Sequence, residues 1–154
     1  MFPGNLQGRN IREVGPKGAV LVTVEDGQIV GPPRPLELDA VRWARAKVDV
    51  TGLESEGQLH SRLRERLTQT YDGAAAGRPL MVRVTISGQT LMHGDLAGRR
   101  EALREEVRGI AVAISERLWI EKVQLHTAPV AVPNISDPTM RDELGSLMAR
   151  SSVT

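Results

Sequence analysis

The sequence predicts an α+β fold: a β-hairpin, a β-α-β-α-β unit with both helices on one face of a three-stranded sheet, and a short C-terminal helix. Three observations predict it. An early β-branched run is followed by a turn and a second short apolar run. Residues 40–127 then alternate strand-type and helix-type periodicity. Each strand-type segment has one apolar and one mixed face, whereas a parallel strand covered on both sides would be apolar throughout. Both helices therefore belong on the same side, which leaves the second sheet face bare.

"KGAVLVTV" (17–24) is the first strand, Glu25-Asp26-Gly27 supplies a turn, and "QIV" (28–30) returns as the second arm. "GPPRP" (31–35) is unsuited to pairing in a sheet and reads as a boundary. In "AVRWARAKVDV" (40–50), Ala44, Ala46, Val48 and Val50 face one way and Trp43, Arg45, Lys47 and Asp49 the other. The next helix opens on Ser55 and Gln58 at capping-box spacing. Leu59, Leu63 and Leu67 form its stripe, and its end is expected near Asp72-Gly73. "PLMVRVTIS" (79–87) places Leu80, Val82, Val84 and Ile86 inward and Met81, Arg83, Thr85 and Ser87 outward. A second helix over 99–118 has Leu103, Val107, Ile110, Ile114 and Leu118 at helical spacing. "WIEKVQLH" (119–126) is the third strand, with Trp119, Val123 and Leu125 on one face and Ile120, Lys122, Gln124 and His126 on the other. Asp137 and Pro138 suit the start of a last helix, 137–149, whose stripe is Met140, Leu144, Leu147 and Met148. The chain divides accordingly into 1–37, an α/β domain 38–130, and a tail 131–154.

A chain of 154 residues, 40% hydrophobic and 25% charged, is long enough for one domain with its own core. The formal net charge of +1 implies nothing about nucleic acid unless basic residues cluster. The absence of cysteine excludes disulfides, thiolate metal sites and a cysteine nucleophile, and fits a reducing compartment. There is no membrane-length apolar run and no signal-peptide pattern, so a cytoplasmic location without membrane partners is expected.

No catalytic centre can be named. His60, His93 and His126 fall on a helix, a loop and a strand, without a second His or a carboxylate at metal-ligand spacing. No nucleophile elbow or phosphate-binding loop occurs, and "HGDL" (93–96) has no partner cluster. No catalytic or metal-ligating residue is therefore expected in this chain. The feature with chemical content is the bare sheet face, displaying Trp43, Arg45, Lys47, Met81, Arg83, Lys122 and His126. Basic residues attract phosphates, and an exposed aromatic can stack on a base. Solvation of the face, or packing on another domain with Trp43 as anchor, remain open beside that reading. The opening loop, with Arg9, Arg12 and Lys17 among Gly4, Gly8, Gly15 and Gly18, could hold a phosphate, but a plain connection explains it as well.

"FPGNLQGRNIRE", "GPKGAVLVTVEDGQIV" and "LDAVRWARAKVDVTG" resemble the C-terminal part of bacterial calcineurin-like metallophosphoesterase DNA repair exonucleases, the YhaO-like relatives of SbcD. "PLMVRVTISGQTLMH" and "WIEKVQLHT" extend the resemblance over most of the chain. It implies that Pro3-Gly4-Asn5 and 17–30 are the closing loop and hairpin of a truncated phosphoesterase domain, and that 38–130 is a capping-type domain. The family's Asp-x-His, Gly-Asp, Gly-Asn-His-Asp/Glu and Gly-His-x-His motifs are missing. Its two divalent metals, of the manganese type, would therefore be held upstream, with no cofactor bound by this chain. The implied function is a non-catalytic, DNA-positioning region of an SbcD-like exonuclease, with Trp43, Arg45, Lys47, Arg83 and Lys122 as DNA contacts. The alternative is a protein-interaction module without DNA contact. It would bind an ATPase related to the structural-maintenance proteins through Met140, Leu144, Leu147 and Met148, or a second copy through exposed strands 17–30.

Overall fold

Alternating side chains make β3 (Arg42–Asp49) and β4 (Leu80–Gln89) two-faced strands, buried at every second position. In the structure, a computed structural model that describes residues 4–131, they pair in parallel. β5 (Leu118–Ala128) completes a parallel sheet of order β3-β4-β5. α1 (Glu56–Ala74) links β3 to β4, while α2 (His93–Gly98) and α3 (Arg100–Ile114) link β4 to β5. Strands stepping in one direction, with crossovers of one hand, put α1 and α3 on the same face. There Ala46, Val48, Val82, Val84 and Ile86 of the sheet meet Leu59, Leu63 and Leu67 of α1 and Leu103 and Val107 of α3, all buried. The expected α+β architecture of hairpin, three-stranded sheet and one helical layer is the observed one.

Local signals act as their chemistry requires. Ser55 caps α1 by accepting from the Gln58 N–H, and the Gln58 side chain accepts from the Glu54 N–H at 2.8 Å, one residue earlier than a capping box has it. Asp26 and Gly27, both at positive φ, make the two-residue turn between β1 (Gly18–Glu25) and β2 (Gln28–Glu37).

Several expectations are corrected. β2 runs through "GPPRP" instead of stopping before it. Among the described residues β1 and β2 form a ribbon of two strands only, so a proline facing the open edge has no ladder bond to lose. A register shift stores Gly31, Pro32 and Pro33 opposite Val22. α1 passes through Asp72-Gly73 and ends at Ala74, where Ala76 and Gly77 turn to positive φ. α3 ends at Ile114, because Ser115 is extended and Leu118 already belongs to β5. "HGDL" is the start of α2, not a loop. The expected helix 137–149, with Met140, Leu144, Leu147 and Met148, lies outside the described residues.

The opening loop also does more than connect. Ile11 is buried, and the Gln7 side chain accepts from the Ala40 and Val41 N–H groups while donating to the Val41 carbonyl at 2.6 Å. The Gly15 N–H donates to the Trp43 carbonyl. The loop thus lies against β3, and the second face of the sheet is not bare along that strand.

Candidate functional site

The face opposite the helices is built in rows, because parallel register aligns every second residue of β3, β4 and β5. Trp43, Met81 and Trp119 form the first row. Arg45, Arg83 and Lys122 form the second, Lys47, Thr85 and Gln124 the third, and Asp49, Ser87 and His126 the fourth. An aromatic row therefore stands beside a cationic one, two residues or about 6.6 Å further along the strands.

Trp119 is where the sequence reading failed. It does not face the core: its indole is 52% exposed beside Met81, and Ile120 packs inward in its place. The cause is a bulge. Val82 pairs with Ile120 and Arg83 with Lys122, so Glu121 is an extra residue and inverts the alternation for the rest of β5. The signal was available: in "WIEKV" two charged residues separate Ile120 from Val123, where strict alternation allows one.

The other expected contacts are placed as follows. Trp43 is half-buried, donating from Nε1 to the Gly8 carbonyl at 2.9 Å. A Cβ on Gly8 would come within 3.2 Å of the indole, so glycine permits this close approach. Trp43 is thus an anchor for the chain's own opening loop. Arg45 donates to the Ile11 carbonyl at 3.1 Å and remains exposed. Arg83 forms a bidentate pair with Glu121, at 2.7 and 2.6 Å. That hydrogen bonding holds the Glu121 carboxyl below its ordinary range despite partial burial, and raises the Arg83 guanidinium further. Glu121 is therefore an anion paired with Arg83 inside the cationic row. Lys47 and Lys122 are exposed, with no ion pair among the described residues. The register thus joins three of the five expected contacts in one row, with Lys47 beyond it and Trp43 covered.

A two-metal centre does not fit these residues. Among the described residues no group of three or more His, Cys, Asp or Glu side chains could hold a metal ion. The histidines lie apart: His60 meets Glu106 at 3.1 Å, His93 meets Thr127 at 2.9 Å, and His126 ends the fourth row. No helix among the described residues is long and apolar enough to cross a membrane.

The chain is similar to known proteins over the domain that carries this face. It is 32% identical over 88 residues to the uncharacterized metallophosphoesterase YhaO of Bacillus subtilis (strain 168), a match covering 57% of this chain and 20% of that protein. The chain thus spans about a fifth of its curated relative. No solved structure matches it. Residues 43–128 match the family described as metallophosphoesterase YhaO, middle domain, which is not specifically the C-terminal capping region that the resemblance implied. With more than half of its 154 residues inside that match, the chain belongs to the YhaO metallophosphoesterase family, through a domain in which no metal-ligand cluster is found among the described residues.

Proposed function

We propose that this chain is the DNA-positioning, non-catalytic part of an SbcD-like, metal-dependent DNA repair exonuclease of the cytoplasm. Residues 38–130 serve as its capping domain and 1–37 as the closing strands of a phosphoesterase domain that binds the metals. The observation that carries this reading is the in-register row Arg45–Arg83–Lys122, with Lys47 beside it, on the sheet face opposite α1 and α3. Such a row suits the evenly spaced phosphates of a nucleic acid backbone, and binding to it releases condensed counterions. A salt titration against duplex DNA tests it. Replacing Arg45, Lys47, Arg83 and Lys122 together with Ala is expected to abolish most affinity and flatten the dependence on salt. Undetectable binding at low salt, or an unchanged slope in the variant, overturns it.

A second reading has its own observation. The ribbon exposes Val20, Leu21, Val22, Val24, Ile29 and Val30, apolar on both of its faces. Self-association through these strands would cover that surface and pair their open edges. Light scattering over micromolar concentrations distinguishes a dimer from the monomer that would overturn this reading. Engagement of a partner ATPase through Met140, Leu144, Leu147 and Met148 belongs to the same class of function.

A further inference from the structure

We propose that the free edge of β5 is a path for single-stranded DNA, with an unpaired base stacked on Trp119 and the adjoining phosphates in the groove between β5 and the start of α3. The inference rests on the DNA-positioning reading for its class of ligand, but shares only Lys122 with the residues of that reading.

Among the described residues the sheet order leaves β5 at an edge, with one flank unpaired. The Trp119 indole stands there half exposed, its orientation set by an Nε1 hydrogen bond to the Glu116 carbonyl at 2.9 Å. A ring already held in place and half exposed loses little conformational freedom when something stacks on it. Trp43, at the other end of the same row, is less exposed and is held against Gly8.

Further along β5, residues 122–126, core-side Val123 and Leu125 included, line a groove of about 400 Å³ at the edge of the helical layer, whose other wall is Arg100, Glu101, Leu103 and Arg104 of α3. Arg104 pairs with Glu101 at 2.9 Å, whereas Arg100 and Lys122 have no ion pair among the described residues. The groove therefore carries net positive charge. It can take the sugar and phosphate of a nucleotide, and it is far too small for a duplex.

The order of features along the edge selects the ligand. An aromatic platform followed by cations matches a strand that offers a free base face next to a phosphate. Bases in a duplex already stack on one another and present no face to Trp119. An acidic peptide would supply carboxylates for Arg100 and Lys122 but nothing for the indole.

The test titrates the chain with a short oligothymidylate and with a duplex of equal length, following tryptophan emission and fluorescence anisotropy. The single strand is expected to quench emission, through Trp119, and to bind more tightly than the duplex. Trp119→Ala should lose the quenching and about tenfold of single-strand affinity, with duplex affinity unchanged. Trp119→Tyr, which keeps an aromatic ring, should retain most of the affinity and so separates stacking from a folding defect. Arg100→Ala should make the single-strand salt slope shallower by about 0.7. Equal single-strand affinity in W119A, or displacement of the oligonucleotide by polyglutamate as effectively as by unlabelled oligothymidylate, overturns the inference. Duplex binding that depends on Arg45 and Lys47, without single-strand preference or quenching, overturns this inference and leaves the DNA-positioning reading standing. Absence of binding to either DNA overturns both.

Discussion

Asp39 and Arg42 show how a residue pair can hold two parts of this chain together. Asp39 is buried at the end of the ribbon, and its carboxylate accepts from Arg42 Nε at 2.8 Å. Arg42 also pairs with Glu37 and donates to the Ala74 carbonyl at 3.3 Å, while Arg78 donates to the Asp39 and Glu37 carbonyls at 2.7 and 3.1 Å. One cluster thus joins the end of β2, the start of β3 and the end of α1. Burial alone would raise the Asp39 carboxyl, but the hydrogen bond and charge of Arg42 outweigh it and hold the group below the ordinary carboxylate range. Removing one partner of a buried pair strands the other, so Asp39→Asn should destabilise the fold by about 3 kcal/mol, measured by urea unfolding at neutral pH. The sign with pH follows from the lowered value. The Asp39 contribution is complete above its unfolded pKa, is lost as pH falls through the folded one, and should flatten the acid limb of stability in D39N. The sequence offered no sign of this cluster: charges three residues apart in "LDAVR" look like any solvated pair until the fold closes over them.

Among the elements, those with strong local periodicity were legible and those shaped by their neighbours were not. Leu59, Leu63 and Leu67 sit at helical spacing behind a Ser55 cap, and α1 forms where expected. The proline-rich arm of β2 depends instead on pairing register, which residues on the partner strand decide, and the bulge of β5 leaves only the doubled charge of "WIEKV" as its trace in the sequence. The bulge has a functional consequence. It puts Glu121 on the outer face, against Arg83 in the middle of the cationic row. Glu121→Gln should release the guanidinium while keeping the side chain's size. Duplex DNA affinity is then expected to rise, and its salt dependence to steepen by about 0.9, as for one added phosphate contact. An unchanged slope in the same titration would mean that Arg83 does not face DNA.

At the scale of the whole molecule, the ribbon and the sheet differ in what they bury. The sheet hides one face under α1 and α3, whereas β1 and β2 leave nearly all their apolar side chains exposed. If the ribbon pairs with a second copy, Val24→Lys with Ile29→Lys should convert a dimer to a monomer in light scattering and leave thermal unfolding of the α/β domain unchanged. Composition and periodicity by themselves determined the α+β class, the helical layer, the core leucines and the lack of a recognisable catalytic motif, because each depends on residues near one another in sequence. Tertiary structure alone decided which tryptophan is available. The opening loop covers Trp43, and a single extra residue in β5 turns Trp119 outward. Both outcomes come from packing and register between segments distant in the chain, where one residue of slip exchanges the buried and exposed faces of a strand.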